Sequence, residues 1–358
     1  NKYRFIEAAA ESYYASPYVS NFDTYSYKFS KNLSNTISLV FDKKTFKLDA
    51  GFRHQLINLG TDRELPAAVG VVIPTENKEN RLGAVGNLEI KLWDKVDVKS
   101  FLEYSNGKSF GNYLRSENLL KLEPIKGYIL DAHVNFQSAI PSFNYLMNPS
   151  FYQNFNYNFG GAKNQSITEI GGKVNLKWFD SSVFANYFRI DNFAYFGTDF
   201  LPKQSSETVN ISQIGGEATL NYWKLKFNTK LLFQSALSQK ELLPMPNFVG
   251  RLNVFYQSKA FKNAAEIQTG FKVYYFSKFK SRDYFPVLNE FVLSNSGTSI
   301  GGQPIADAYF NMKVKRMMIF AEAQHFNTTF MKNKSFTAPN YPIYDFRLNL
   351  GIVWYIFH

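Results

Sequence analysis

Cysteine is absent from all 358 residues. That excludes disulfides, thiolate metal sites and a lipid-bearing cysteine on this chain, and it suits an oxidising compartment without requiring one. Long apolar runs are missing too. The longest candidate, residues 65–74 (LPAAVGVVIP), falls well short of the roughly 18 to 20 residues that a membrane helix needs, so helical membrane spanning is excluded. Histidine is scarce, with 4 in the chain, at positions 54, 133, 325 and 358. They are too scattered for a metal site, and no His-Glu-x-x-His spacing occurs. No Pro/Gly/Ser-rich linker divides the chain, which reads as one domain over 1–358. It opens on Asn1 without a basic-then-apolar leader, so it reads as a processed form or a fragment lacking upstream sequence.

What is present is aromatic and basic. There are 36 Phe, 23 Tyr and 4 Trp, while the mean hydropathy stays negative at −0.27. The apolar content is therefore spread out, not pooled. The net charge is +11 with a pI near 9.4, a balance that fits nucleic acid, anionic headgroups or an anion-lined lumen. The distribution decides between them: lysines and arginines form no cluster and no basic helix, but fall singly opposite apolar neighbours.

That placement is strand alternation. From Arg81 to Trp93, Leu82, Ala84, Gly86, Leu88, Ile90 and Leu92 share one face, while Asn87, Glu89 and Lys91 share the other. After an Asp94-Lys95 turn, Val96, Val98, Leu102 and Tyr104 oppose Asp97, Lys99 and Glu103. The construction recurs around Lys47 and Arg53, around Asp131 and His133, around Lys226 and Lys230, and around Lys272. A local echo, Ile170-Gly171-Gly172-Lys173 beside Ile214-Gly215-Gly216-Glu217, places the two copies on strands of like direction, and strand glycines favour bends and close backbone approach.

Connections alternate between short and long. Tight turns fall near residues 43–44, 94–95, 124–126, 180–181, 223–224, 259–262 and 315–316. Longer connections fall near 16–22, 58–80, 106–112, 141–164, 197–208, 238–247, 279–303 and 327–342. Transmembrane barrels follow that rule, with short turns at the periplasmic end and long loops outside. Counting back from the run 343–357 to a first strand near 3–14 gives an all-β fold: a transmembrane antiparallel up-and-down β-barrel of about 16 strands, within 14–18. In hydrocarbon, alternation has one assignment, apolar side to lipid and polar side inward.

The expected lumen-lining residues are Lys47, Arg53, Glu89, Lys91, Lys99, Glu103, His133, Lys173, Lys177, Glu217, Lys226, Lys230, Lys272 and Arg347. Asp49, Glu169, Arg251, Glu266, Asp307, Lys313, Glu322 and Asp345 share that face. The bland reading of these charges is a cross-strand ion ladder that holds register. Should the lumen conduct, the excess of fixed cations favours mild anion preference.

At the C-terminus, Gln303-Pro304-Ile305-Ala306-Asp307-Ala308-Tyr309-Phe310, Lys315-Arg316-Met317-Met318-Ile319-Phe320, Ala338-Pro339-Asn340-Tyr341-Pro342 and the closing Phe346-Arg347-Leu348-Asn349-Leu350-Gly351-Ile352-Val353-Trp354-Tyr355-Ile356-Phe357-His358 resemble the β-barrel porin family of Bacteroidetes-type bacteria. The resemblance covers about 56 residues. It implies a terminal strand read by outer-membrane insertion machinery, with Trp354, Tyr355 and Phe357 as the candidate signal. It also implies residence in the bacterial outer membrane among lipids that include lipopolysaccharide, with other outer-membrane proteins as candidate partners. No nucleic-acid partner is expected, because the aromatics interleaved with the basic residues fall at the presumed lipid boundary and turns. The leading expectation is a porin passing small polar solutes. The alternative is a non-conducting structural or accessory subunit of an outer-membrane assembly or secretion complex. A TonB-dependent receptor is less expected, because those barrels take about 22 strands and an N-terminal plug.

No catalytic residue, cofactor site or metal site is expected, and no feature argues for an enzyme. Asp131 and His133 share a face, and joining them to Ser138 as a hydrolase is a minor reading, since no nucleophile motif surrounds that serine. Neither Lys-Ser/Thr nor a helix accompanies the glycine pairs, so they are not phosphate cradles. The apolar segment 65–74 reads as a loop that folds into the pore, docks a partner or packs on the barrel rim.

Overall fold

Among the described residues, alternating apolar and polar residues produce one antiparallel sheet of sixteen strands, taken in strict chain order. The computed structural model describes residues 2–6, 23–61, 76–148, 150, 152 and 155–356, with side chains from residue 27 onward. The strands are β1 Lys2–Ile6, β2 Asp23–Lys43, β3 Phe46–Thr61, β4 Glu76–Leu92, β5 Val96–Asn106, β6 Tyr113–Ile125, β7 Tyr128–Ala139 and β8 Gln165–Leu176. They continue as β9 Ser181–Asp191, β10 Val209–Tyr222, β11 Leu225–Ala236, β12 Phe248–Ala260, β13 Ala265–Phe276, β14 Ile305–Val314, β15 Met317–Gln324 and β16 Arg347–Trp354. The two glycine echoes lie on β8 and β10, two strands apart and running the same way. The segment 65–74, residues 7–14 of the expected first strand, the connection 16–22 and Phe357 lie outside the described residues.

The β3–β4 hairpin runs further than alternation suggests, holding register out to Gly60 opposite Glu76. Residues 58–61 and 76–80 carry polar groups on both faces, which reads as loop in the sequence. A ladder needs no apolar face once it rises past the hydrocarbon, because backbone hydrogen bonds alone keep it paired.

Register fixes the two faces. On one, Ile37 sits opposite Phe52 and Leu39 opposite Ala50, and Ile37, Leu39 and Phe52 are more than 80% exposed. Large apolar side chains so bare belong against lipid. The other face is concave, because its side chains bridge strands that are not neighbours. Arg53 on β3 reaches Glu103 on β5 at 2.5 Å, and Lys272 on β13 reaches Glu322 on β15 at 3.4 Å. The Tyr309 hydroxyl on β14 donates to Asn253 Oδ1 on β12 at 3.1 Å. Strands two apart are separated by roughly 10 Å, so such bridges form only where side chains converge. Among the described residues, no pairing joins β16 to β1 or β2, and the outer edge of β2 over 29–43 meets no strand.

All 4 tryptophans fall at the short-turn end. Trp93, Trp178 and Trp223 sit in the turns after β4, β8 and β10, and Trp354 ends β16 opposite Met317, which follows the last short turn. Each is exposed. Indole prefers the headgroup level, where its ring is buried and its N–H stays wet. In vesicles, tryptophan emission should therefore be quenched more by lipids brominated near the headgroup than by lipids brominated near the chain ends. Equal quenching at both depths would contradict a one-sided girdle.

Candidate lumenal site and outer cap

The concave face carries the charges that alternation assigns to the lumen. Lys47 and Glu89 are register partners, as are Glu89 and Lys99. Glu217 and Lys230 pair across β10 and β11 at 2.5 Å. Lys91, Lys226 and Arg347 lie in the same alternating series. His133 Nε2 lies 3.2 Å from Glu169 Oε1, and Asn135 Nδ2 donates to Glu169 Oε2 at 3.1 Å. Lys177 is placed differently. Strand β8 ends at Leu176, and Lys177 sits in the following turn, its stem beside Gly127.

The glycine echo has a structural cause. Gly171 and Gly215 both face inward, and rings from neighbouring strands lie over them: His133 over Gly171 and Phe184 over Gly215. A Cβ at Gly215 would come within 2.5 Å of Phe184 Cζ and 2.7 Å of the Leu231 carbonyl oxygen. At outward Gly86 the nearest atom would be 3.7 Å away. Gly215→Ala is therefore expected to destabilise the barrel by about 1–3 kcal/mol through overpacking, whereas Gly86→Ala is tolerated. Urea titration of the folded band on unheated gels measures both. Equal effects would contradict the assigned close approach.

Near the long-loop end, Glu79 and Arg81 on β4 form a buried clasp. Arg81 Nε donates to Glu79 Oε1 at 3.0 Å, with both side chains under 10% exposed. The Glu79 carboxylate also accepts from the backbone N–H groups of Lys108 at 3.0 Å and Phe110 at 2.6 Å. Arg81 donates to the Gly111 carbonyl at 2.9 Å. Two inward charges thereby fold the β5–β6 loop against the wall. No sequence motif announces this, although two opposite charges spaced two apart on one strand do share a face.

A larger cap gathers the long loops. Tyr152, Phe155 and Tyr157 from the β7–β8 loop, Phe196 from the β9–β10 loop, and Phe285, Val287, Leu288 and Val292 from the β13–β14 loop form a buried apolar core. Tyr145 stacks on Phe196 at 4.5 Å. Short strands knit the loops together: Ala194–Phe196 pairs with Pro202–Gln204 and, in parallel, with Glu290–Val292, which pairs with Asp283–Phe285. Burial holds the Tyr157 phenol well above its usual pKa and pushes the Arg282 guanidinium down. Arg282 donates to the Leu242 carbonyl, which ties the β11–β12 loop to the cap.

The cap sits against the inner wall. Lys28 on the concave face of β2 donates to Asn144 Oδ1 at 3.3 Å, and Asn144 Nδ2 donates to Glu290 Oε1 at 2.7 Å. Five inter-strand spacings along the wall, roughly 24 Å, separate β2 from β7, so the β7–β8 loop crosses the mouth to make this contact. Further round, the inward residues Ile190, Val209 and Ile211 break the polar rule, and Phe193, Leu243 and Met245 from loops pack over them. In this sector of the wall, loops cover the apolar part of the inner face.

The residues that resemble a family at the C-terminus fasten another loop. The Asn327 side chain donates to the Pro304 carbonyl at 3.0 Å and accepts from Ala306 N–H at 3.0 Å. Asp307 accepts the backbone N–H of His325 at 2.8 Å, and Gln303 accepts that of Lys334 at 3.2 Å. Trp354 and Tyr355 lie at the other end of β16, where Tyr355 N–H donates to the Arg316 carbonyl.

The hydrolase constellation is not assembled. Ser138 lies on the opposite face of β7 from His133 and Asp131, opposite Leu114 and Ser166, and its hydroxyl meets Asn164 and Ser166. Among the described residues, no group of three acidic or histidine side chains is placed to hold a metal ion.

Several solved structures share the fold. The ferric enterobactin receptor PfeA of Pseudomonas aeruginosa superposes with a TM-score of 0.68 at 13% identity, covering 94% of this chain and 56% of the receptor. The siderophore receptor PirA of Acinetobacter baumannii gives 0.65 at 10%, covering 93% and 55%. The FrpB iron transporter of Neisseria meningitidis gives 0.63 at 12%, covering 93% and 56%. The chain thus spans a little over half the length of these structures, and at such identities the likeness is one of fold alone. No curated protein matches the chain. A family model described as "Putative porin" matches residues 1–358, and family and fold together point to the bacterial outer membrane. With a polar concave wall, a lipid-facing exterior and a family match along its whole length, the chain belongs to the family described as "Putative porin".

Proposed function

We propose that the chain is an outer-membrane channel giving small polar solutes passive passage through its lumen, narrowed at the outer mouth by the packed loops. The concave wall carries this reading. On β2 the inward series Ser30, Asn32, Ser34, Thr36 and Ser38 is polar throughout, and charged side chains of both signs continue the lining on later strands. A wall that had only to fill itself would use apolar side chains, as small barrels do. The channel reading needs no cofactor, metal or enzymatic step. Its partners are outer-membrane lipids, including lipopolysaccharide, and the insertion machinery that delivers it.

Planar-bilayer recording of the purified chain tests the reading. Stepwise currents are expected, with a reversal potential in a salt gradient that shows mild anion preference, since inward cations outnumber inward anions. Lys173→Glu with Lys230→Glu should move that reversal potential toward cations. The cap supports a second reading, a non-conducting accessory subunit of an outer-membrane complex. Silence in the bilayer together with co-purifying partners would favour it.

A further inference from the structure

Apolar residues on the concave wall need cover. Those near the outer end, Ile190, Val209 and Ile211, are covered by loops. Lower on the wall, Phe184 on β9 and Leu232 on β11 also face inward, yet among the described residues no loop packs over them. They instead line a cavity of about 360 Å³ together with Lys173, Glu217, Lys230 and Arg251. We propose that this cavity binds a small amphipathic carboxylate, its anion among the cations and its compact apolar body against Phe184 and Leu232.

The charge arrangement leaves room for one more anion. Glu217 is the carboxylate among three cations: Lys230 lies 2.5 Å from it and Lys173 3.9 Å. Arg251, the register partner of Lys230, lies near enough for Glu217 to feel its charge, but among the described residues it forms no salt bridge of its own. Its Nη2 donates to Asn228 Oδ1 at 2.5 Å, while its buried Nε has no acceptor. A guanidinium not tied into a salt bridge favours a planar oxyanion over a point charge. The volume falls within the range of small-molecule sites. Gly215 completes the apolar half, since its lack of a side chain lets the Phe184 ring lie over the strand.

The inference rests on the channel reading only in placing this face toward water, so equilibrium binding tests it without conduction. Calorimetry of the purified chain in neutral detergent would use cyclohexanecarboxylate, with acetate and cyclohexylmethylamine as comparators. Saturable binding of cyclohexanecarboxylate is expected, with acetate weaker and the amine not bound. Arg251→Gln should weaken binding by about tenfold, the loss of one charge-assisted hydrogen bond, and Arg251→Lys should restore part of it. Phe184→Leu, which keeps a comparable apolar volume, provides a second variant should Arg251→Gln not fold, and it should weaken cyclohexanecarboxylate while leaving acetate unchanged. No saturable binding, equal binding of acetate, or indifference to these substitutions would overturn the proposal. Silent bilayers with intact binding would count against the channel reading alone.

Discussion

Phe196→Ala is expected to loosen the outer cap while leaving the barrel wall folded. Phe196 is 1% exposed, stacks on Tyr145 and joins the β9–β10 loop to the β13–β14 loop through its pairing with Val292. Truncating a buried Phe costs about 3–5 kcal/mol, transfer and cavity together. The loss falls on a small unit whose core holds few residues, so the loops should open locally and not globally. Hydrogen exchange is the direct measure. Amides of 192–208 and 283–292 should lose protection, while those of β9 and β13 keep theirs. If the loops narrow a conducting mouth, single-channel conductance rises in the same variant. Unchanged exchange in these loops would mean that the cap does not depend on its aromatic centre.

Arg81→Ala should have an effect of similar size by a different route. The Glu79 carboxylate, 3% exposed, would keep two backbone donors and lose its counter-charge. Removing one member of a buried pair costs about 3–5 kcal/mol, because the remaining charge stays out of water. The Arg81→Met, Glu79→Gln double variant should recover much of that loss, since no uncompensated charge remains. The urea midpoint of the folded band reports both variants. A double variant no better than Arg81→Ala would show that the guanidinium's bond to Gly111, and not charge pairing, holds the β5–β6 loop.

The wall was readable because its information is local. In Leu82–Leu92 every second residue carries the same instruction, and register merely repeats it across strands. The short turns were readable for the same reason, as alternation stops on either side of Asp94 and Lys95. Lys177 went to the turn because a period of two gives a face but not the residue at which a strand ends. The cap was not legible. Tyr145, Phe196 and Val292 lie on separate loops with no period, and their contacts join positions about 50 to 100 apart in the sequence. Phe184 was legible in principle. It sits between Val183 and Ala185, which face lipid, so an aromatic there breaks the inward polar series. Such a break marks either a covering loop or a binding surface, and only the three-dimensional structure separates the two.

The edge of β2 that meets no strand among the described residues sets a condition on where the protein can reside. In water, the N–H and C=O groups along 29–43 are hydrated at little cost. In hydrocarbon, each group left without a bond costs several kcal/mol, and several would be stranded along the edges of β2 and β16. The sheet is therefore amphibious only when both edges meet backbone, whether each other's or that of further strands. A change along this seam would show itself first as a failure to partition into the bilayer, leaving chain in the aqueous fraction. A change in the lumen would pass that step unnoticed and alter only what the inserted barrel admits.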